Sequence, residues 1–313
     1  MKNMFICPKC LSKRSLDFCE CKFKLKSRNG VYDLLDKSYK SDFDDIGYKY
    51  YSIDSSLIQE QIATEISRMI SSGNVLDLGS GAGHIASALI KYQYNLICLD
   101  SSFVMFEIFK KRLSTLEYNE DLLTLIRADA HRIPLENGSI DLVIVSNLFH
   151  LLAEPKTVLA EIYRILSPTG KLLLISDSND NEYFEFGEEL AEYNNMVNTY
   201  NNLYWEKMKE HKLFPRKADT SFNQYLEASK LFKKHYFIET AEIEYRGVKK
   251  LKDFLEKEYS KSSYAKSNIP SSIHLDVHEE AFKNLFYKKR TDLLNIEVYY
   301  KGKNKSTIDV YEK

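Results

Sequence analysis

Apolar and polar residues alternate along the chain in a pattern that predicts a regular succession of helices and strands from residue 57 to residue 177. Apolar positions three and four residues apart predict helices, and short apolar runs bounded by turn signals predict buried strands. The predicted helices are SLIQEQIATEISRMI, HIASALIKY, VMFEIFKKRLSTL and PKTVLAEIYRIL, and the predicted strands are NVLDLG, NLICLD, LTLIRAD, IDLVIVSN and GKLLLISD. Strands that are apolar on both faces and alternate with helices predict an α/β fold with a doubly wound, mostly parallel sheet.

The pattern changes after Asp177. Residues 183–213 predict a long polar helical stretch rich in aromatic side chains. HYFIETAEIEYRG and NIEVYYKGK predict two further strands, with two or three short helices between them. The predicted organisation is a small N-terminal module at 1–40, a core at 41–178, a helical insertion at 179–235, and the C-terminal part of the core, with its last two strands, at 236–313.

Composition is that of an ordinary globular protein, with 44% hydrophobic residues, 28% charged residues and a net charge of −1. This overall charge gives no reason to expect nucleic-acid binding. Residues 1–40, however, contain ten Lys/Arg against four Asp/Glu, which is either a solvated face or a small nucleic-acid footprint. No secretory signal and no apolar run of about 18 residues is visible, so we expect a cytoplasmic protein that binds no membrane and keeps its cysteines reduced.

Four of the five cysteines lie close together in the segments CPKC and CEC, at Cys7, Cys10, Cys19 and Cys21. Four thiolates at such spacing form a closed tetrahedral structural zinc site, and the alternative is a degenerate ribbon that has lost its metal. The segment FKLKSRNGVYDLL then predicts a hairpin that turns at Asn29-Gly30. Cys98, alone in an apolar strand, is predicted to be a buried core thiol.

A strand followed by three alternate glycines, in NVLDLGSGAGH, predicts a ligand-binding loop. Nicotinamide dinucleotides, flavins and S-adenosylmethionine all bind to loops of this outline. The spacing G-x-G-x-G differs from the dinucleotide fingerprint G-x-G-x-x-G. Asp77, just before the loop, would repel a pyrophosphate but could accept hydrogen bonds from an ammonium group. Asp100, at the end of the next strand, suits the ribose of a nicotinamide dinucleotide as well as that of S-adenosylmethionine, so it does not distinguish the two.

Three later segments resemble class I S-adenosylmethionine-dependent methyltransferases with a type 11-like core. They are DSSFVM (100–105), RADAHRIPLENGSIDLVIVSNLFHLL (127–152) and VLAEIYRILSPTGKLLLIS (158–176). The resemblance covers roughly residues 57–178 and implies a Rossmann-like sheet of seven strands. It also implies transfer of a methyl group from S-adenosylmethionine to an acceptor, with S-adenosylhomocysteine as product. The cysteine-bearing hairpin resembles the zinc-ribbon modules found ahead of many methyltransferase domains.

The resemblance implies a role for several residues at the ends of the predicted strands. Asp77 would orient the methionyl ammonium group, and Asp100 would bind the ribose hydroxyls. The other implied cofactor contacts are the glycine loop (Gly79, Ser80, Gly81, Gly83), the adenine surroundings (Ser101, Ser102, Met105, Asp129, Ala130) and the side of the methionyl tail (Ser146, Asn147). For Met105 and Ala130, plain core packing is the alternative interpretation.

Several residues are candidates for contact with the methyl acceptor, but no sequence motif identifies them. His150 follows the fourth strand of the core and is the candidate general base, while its alternative is an ordinary helix-opening residue. Two aromatic segments could cover the acceptor, and the candidate lid residues in them are Tyr48, Tyr50, Tyr51, Tyr200, Tyr204 and Trp205. Aromatic residues at helical spacing are also typical of a packed core.

Three functions remain open from the sequence. The first is a small-molecule methyltransferase, which the neutral charge, the aromatic lid and a weak similarity of residues 251–270 to small-acid and natural-product methyltransferases favour. The second is an rRNA guanine methyltransferase, some of which carry an N-terminal zinc module; here the C-x-C pair and the absence of a broad basic face depart from that group. The third is a non-enzymatic scaffold. No feature of the sequence indicates an oligomeric state.

Overall fold

The computed structural model describes residues 4–7, 10, 12, 19, 21, 26–35, 39, 41, 44, 56–178, 187–213, 230–250, 269–288 and 297–313. The contacts between residues divide the chain into two compact units. The first unit consists of Met1–Ser178, Asp219–Ala241 and Lys305–Lys313, and the second consists of Asn179–Ala218 and Glu242–Asn304. The first 40 residues therefore belong to the same unit as the strands that follow them.

A single sheet runs through the first unit. From one edge to the other, its strands are β1 (Lys26–Arg28), β2 (Val31–Asp33), β5 (Leu123–Arg127), β4 (Asn95–Asp100), β3 (Asn74–Leu78), β6 (Ile140–Ser146), β7 (Leu166–Ser178), β10 (Glu297–Glu312) and β8 (Lys233–Glu239). Neighbouring strands from β2 to β7 are parallel, whereas β10 is antiparallel to both β7 and β8. The strand order reverses at β3, and the crevice beyond the carboxyl ends of the strands at such a point is where open α/β sheets bind ligands.

The predicted α/β fold with a mostly parallel sheet is confirmed, with two differences in detail. The hairpin β1–β2 extends the predicted seven strands at the β5 edge, because the backbone of β2 continues the parallel pairing along β5. The segment HYFIETAEIEYRG, predicted as one strand, instead forms β8 and the beginning of β9 (Ile243–Lys250). The break falls where Thr240 turns its amide and hydroxyl toward the backbone of Ser306.

Helices of the first unit cover the sheet with apolar faces. They are α1 (Ser56–Met69), α2 (His84–Leu89), α3 (Phe103–Leu113) and α4 (Pro155–Ile165). In α4, Pro155 occupies the first turn, where its missing N–H leaves no bond unmade, and four apolar residues of the helix are buried. Among the described residues, no helix has both the length and the apolar character needed to cross a membrane.

The second unit contains two long helices and a pair of strands. Helix α5 (Gly187–Glu210), within the predicted helical stretch 183–213, packs against α6 (Ser271–Lys288). Their shared core contains Met196, Tyr200, Tyr204 and Met208 of α5 and Val277, Ala281 and Leu285 of α6. Strand β9 pairs antiparallel with residues 297–304 of β10.

Candidate functional site

The glycine loop joins β3 to α2 and lies at the end of β4. Its three glycines, Gly79, Gly81 and Gly83, have φ values of 74°, 51° and 72°. Residues that carry a side chain rarely adopt this left-handed backbone conformation, so glycine is the residue that suits all three positions. The loop is fixed to the neighbouring strand because the amides of Gly79 and Ser80 both donate to the carbonyl of Leu99, over 2.8 and 3.1 Å.

The three glycines face different surroundings. A Cβ atom at Gly83 would lie 2.0 Å from a ring carbon of Phe109, and one at Gly79 would lie 2.9 Å from the side chain of Leu148. At Gly81 a Cβ atom would meet only the carbonyl oxygen of Gly79, 4.0 Å away. The third glycine therefore lets α2 pack closely against α3, whereas Gly81 leaves the room that a ligand needs to approach the backbone.

Asp77 is a buried acid near the end of β3, with 2% of its surface exposed. One carboxylate oxygen, Oδ2, has no hydrogen-bond partner among the described residues. Burial, and secondarily the charge of Asp100, raises the pKa of Asp77 to about 7, while a hydrogen bond from the backbone of Ala86 opposes this shift. A buried carboxylate with an unsatisfied oxygen suits a cationic donor such as an ammonium group.

Asp100 ends β4 with both carboxylate oxygens held by backbone amides. Oδ2 accepts from the amide of Gly81 and Oδ1 accepts from the amide of Ser102, each over 2.8 Å. Burial raises the pKa of Asp100, and these amides, together with that of Ser101, act in the opposite direction. The Ser101 hydroxyl lies 3.2 Å from that of Ser41. Each Asp100 oxygen keeps a further lone pair, so the fixed carboxylate can accept from the hydroxyls of a ribose.

Ser102 caps the N-terminus of α3. Its hydroxyl oxygen accepts from the amide of Met105 over 3.3 Å, and its hydroxyl proton is donated to a carboxylate oxygen of Asp44 over 2.7 Å. The Met105 side chain is only 4% exposed and packs with Ala82 and Ile108 in a small apolar cluster. Met105 thus contributes apolar packing between the glycine loop and α3.

Asp129 follows β5 and caps the short helix Ala130–Arg132. Its Oδ1 accepts from the amide of His131 over 2.9 Å and lies 2.7 Å from Nδ1 of the same histidine. Since the amide of Glu154 donates to His131 Nε2 over 3.3 Å, the geometry assigns the ring proton to Nδ1. Ala130 packs against the main core. The Asp129 side chain remains 44% exposed and so keeps acceptor capacity for a ligand.

The end of β6 holds the remaining predicted site residues. Ser146 is partly buried and pairs with Ile175 of β7. Asn147 is exposed and adopts a left-handed conformation with φ of 49°, which turns the chain away from the strand. His150 lies partly buried on the short helix Phe149–Leu151. The structure therefore places Ser146 at the carboxyl end of β6 and Asn147 and His150 just beyond it, at the edge of the sheet where the glycine loop begins.

The four N-terminal cysteines converge on one point. The Sγ atoms of Cys7, Cys10, Cys19 and Cys21 all lie within 4.8 Å of one another, and three pairs are 3.4 Å apart. Hydrogen bonds, first from the Ser12 hydroxyl, lower the pKa of Cys10 to about 6, and the backbone of Cys21 lowers that of Cys19. This donor set fits a tetrahedral zinc ion with Zn–S bonds of about 2.3 Å. Cys98 is fully buried in β4, apart from this cluster.

The candidate lid residues occupy different places. Tyr48, Tyr50 and Tyr51 lie outside the described residues. Tyr200 and Tyr204 are fully buried in the second unit, where their hydroxyls lie 2.6 Å from His278 Nδ1 and 2.8 Å from His274 Nδ1. Trp205 is partly buried and meets the ring of Tyr204 edge-on. Tyr200 and Tyr204 are therefore surrounded as residues of a packed core are, which is the alternative interpretation of these aromatic residues.

Three residues with a clear place in this geometry are absent from the candidates that sequence reasoning produced. Asp44 bonds to Ser102 across 58 positions of sequence, which no local pattern signals. Leu148 covers Gly79, and Phe109 fills the space over Gly83. The apolar spacing of α3 marks Phe109 as a buried residue but does not indicate its partner.

Comparison with known proteins gives matches centred on these strands. Residues 76–174 match the model of a family described as a methyltransferase domain. The chain is 35% identical over 108 residues to an uncharacterized methyltransferase of Schizosaccharomyces pombe, covering 34% of this chain and 40% of that protein. It is 30% identical over 100 residues to the demethylmenaquinone methyltransferase of Clavibacter sepedonicus, covering 32% and 39% respectively. A ubiquinone/menaquinone biosynthesis C-methyltransferase of Wigglesworthia glossinidia brevipalpis is 28% identical over 179 residues, which is 53% of this chain and 70% of that protein.

The family match covers the part of the chain that carries the glycine loop, Asp100 and Asp129. The aligned segment spans about 40% of the length of the first two relatives. The matched segment therefore resembles a methyltransferase domain.

Proposed function

We propose that the chain is an enzyme that transfers a methyl group from S-adenosylmethionine to a small-molecule acceptor. The observation that carries the proposal is the buried carboxylate of Asp77, which precedes the glycine loop and has one oxygen that no described group satisfies. A cationic ammonium group at this oxygen would remove the cost of an unpaired buried acceptor. The methionyl half of the cofactor carries such a group.

The other described residues fit the rest of the cofactor. The Asp100 carboxylate, fixed by two amides, would accept from the ribose hydroxyls. The open space at Gly81 would admit the cofactor next to the loop backbone. Asp129, partly exposed after β5, would accept from the amino group of the adenine.

The protein's part in the reaction is to hold two reactants in line. S-adenosylmethionine, when bound, supplies a methyl group that the sulfonium charge already activates. Asp77 and Asp100 would fix the two halves of the cofactor, and the surrounding residues would exclude water and orient the acceptor. We assign His150 as the residue that takes a proton from an acceptor that has not yet lost one.

Two observations support a small-molecule acceptor over a nucleic acid. The net charge of −1 provides no broad attraction for a phosphate backbone. Two of the similar proteins are named as a demethylmenaquinone methyltransferase and as a ubiquinone/menaquinone biosynthesis C-methyltransferase, and both names denote small-molecule chemistry. We therefore assign a small organic acceptor to this chain as well.

The test is transfer of a tritiated methyl group from S-adenosylmethionine by the purified chain. One reaction contains a small-molecule extract and another contains total RNA, both from cells that lack the protein. We expect label in the small-molecule fraction and none with the Asp100→Ala variant. Label at a single base of the RNA would contradict the assignment of the acceptor.

A second candidate function is methylation of an rRNA base, and the cysteine cluster favours it. Residues 1–40 combine four converging thiols with an excess of basic residues, as expected for a small zinc module that contacts RNA. In either function we assign a structural zinc ion to the cluster, because a segment this short gains much of its folding free energy from a metal.

The zinc assignment is tested by elemental analysis of the purified chain. Four thiolates with mutual distances that suit one tetrahedral ion predict about one zinc per chain. A double Cys10→Ser/Cys19→Ser variant should lose the metal. A wild-type chain purified without chelators that contains no zinc would overturn this assignment.

A further inference from the structure

Residues after β2 are connected to the cofactor site through Arg127, a buried arginine at the end of β5 with 7% of its surface exposed. Its Nε donates to the carbonyl of Ser101 over 3.1 Å, and its guanidinium pairs with Asp33 over 3.1 Å. The same group donates to the carbonyl of Tyr39 over 3.0 Å. Arg127 thus links the chain that leaves β2 to the residue that directly follows Asp100.

A second connection involves Ser41 and Asp44. The amide of Asp44 donates to the carbonyl of Ser41, and the amide of Ser41 donates to Asp44 Oδ2, each over 3.0 Å. The remaining oxygen, Asp44 Oδ1, accepts the hydroxyl proton of Ser102 over 2.7 Å. Because Ser102 has only one hydroxyl proton, Asp44 fixes the orientation of this fully buried side chain. The amide of Ser102 in turn holds Asp100.

Residues 4–6 are attached to the segment that follows Asp129. Residues 4–6 form a short antiparallel bridge with residues 134–136, in which Phe5 pairs with Leu135. The amide of Ile6 donates to the carbonyl of Pro134 over 3.1 Å, and the amide of Glu136 donates to the carbonyl of Met4 over 2.8 Å. This bridge follows the short helix that Asp129 caps, and Cys7 comes one residue after it. In the sequence, the four cysteines therefore lie between a segment attached to the residues after Asp129 and a segment attached to the residues after Asp100.

We infer that the described residues between Met4 and Asp44 are a positioning element for the adenosine half of the cofactor, with Asp44 acting on Asp100 through Ser102. In this role the metal at the cysteine cluster holds the two attachments at their correct separation, so metal loading and cofactor affinity rise together. The inference rests on the proposed function, and it assigns to the N-terminal module a task in cofactor binding that is separate from the choice of acceptor.

The test is calorimetric titration of S-adenosylhomocysteine into the full chain. Asp44→Ala removes the acceptor of the Ser102 hydroxyl and is expected to weaken binding about tenfold, the scale of one charge-assisted hydrogen bond. Asp44→Asn keeps one carbonyl oxygen for the Ser102 hydroxyl but loses the acceptor of the Ser41 amide, so it should recover part of the affinity. Asp121→Asn, at an exposed acid on the turn before β5, is the matched control and should bind like the wild type.

A double-mutant cycle of Asp44 and Ser102 distinguishes a positioning role of Asp44 from a general loss of structure. If Asp44 acts through Ser102, the double variant Asp44→Ala/Ser102→Ala should bind no more weakly than Ser102→Ala alone. Losses that simply add would overturn the assignment, and so would wild-type affinity in Asp44→Ala. At saturating S-adenosylmethionine, the turnover number of Asp44→Ala should stay at the wild-type value, because only cofactor binding is affected.

The role of the metal is tested on the same protein. Removal of zinc with a chelator should weaken S-adenosylhomocysteine binding while the far-ultraviolet circular dichroism of the sheet and helices is retained, and added Zn²⁺ should restore affinity. Unchanged affinity in fully stripped protein would overturn the part of the inference that concerns the metal. A wild-type chain that does not bind the ligand at all would instead refute the proposed function itself, so the two failures are distinguishable.

Discussion

Asp77, to which we assign the ammonium group of the cofactor, is a buried acid whose ionisation lowers the stability of the folded protein. Its carboxylate is buried, its Oδ2 has no partner among the described residues, and burial raises its pKa to about 7. The folded protein therefore binds this proton more tightly than the unfolded chain, in which an aspartate has a pKa near 3.9. Ionisation of Asp77 consequently reduces stability as the pH rises between these two values. A ligand that brings a positive charge reverses the penalty.

We predict that Asp77→Asn stabilises the ligand-free protein and weakens cofactor binding. The ionised carboxylate costs at most about 4 kcal/mol at high pH, because the pKa of about 7 in the folded protein lies well above the value near 3.9 in the unfolded chain. The difference in melting temperature between variant and wild type should therefore grow from pH 4 to pH 7 and then level off. The measurement is thermal unfolding across this range, together with S-adenosylhomocysteine titration. A melting difference that does not change with pH would contradict this account of Asp77.

At the scale of elements, the contact between α2 and α3 depends on Gly83. The ring of Phe109 is fully buried and occupies the space that a Cβ atom would need. The third glycine of the dinucleotide fingerprint allows a helix to pack closely on a strand, whereas Gly83 allows close packing between two helices. The loop and the two helices therefore form one packed group.

We predict that Gly83→Ala destabilises the protein more than Gly138→Ala does. Both glycines have positive φ values, 72° and 65°, so alanine is strained at either position. Only Gly83 faces an obstruction, because a Cβ atom at Gly138 would have no atom within 4 Å. The difference should be about 1–3 kcal/mol, the usual cost of overpacking a core, measured by urea unfolding. Equal destabilisation by the two substitutions would show that Phe109 moves aside freely.

The helices α5 and α6 are joined by two buried tyrosine–histidine contacts. Tyr200 and Tyr204 are one helical turn apart, as are His278 and His274, so the two contacts stack along the helix pair. We predict that Tyr200→Phe lowers stability by about 1–2 kcal/mol, because it removes a buried hydrogen bond while the packing of the ring is kept. Chemical denaturation of the full chain measures the loss. A variant as stable as the wild type would show that this contact contributes nothing.

The hydrophobic pattern was sufficient to predict the strands β3–β7 and the helices between them, because those strands are buried on both faces. Asp77 and Asp100 could be chosen as candidate site residues from the sequence, because an acid at the end of a buried strand has few structural uses. The link from Asp44 to Ser102 and the contact between Gly83 and Phe109 were not predictable. They depend on which distant segments the fold brings together, and sequence spacing carries no information about this. For Tyr200 and Tyr204, helical spacing suits a lid and a core equally, and only the partners on α6 distinguish the two.

At the scale of the whole molecule, the first unit gathers everything that the proposed reaction requires of the cofactor site. The sheet provides Asp77 and Asp100 from neighbouring strands. The hairpin β1–β2 extends this sheet beside β5. The cysteine cluster lies within this unit, so the proposed metal site and the proposed cofactor site belong to one folded unit. The second unit has a core of its own, built on α5 and α6.

Whether the first unit binds S-adenosylmethionine is decided by calorimetric titration of its product, S-adenosylhomocysteine, into the purified wild-type chain. We expect one binding site per chain, and Asp100→Ala should weaken the affinity at least about tenfold, because the variant loses the acceptor for the ribose hydroxyls. A wild-type chain that is folded and loaded with metal but releases no heat of binding would contradict the account, since neither the cofactor site nor the proposed methyl transfer could then be correct.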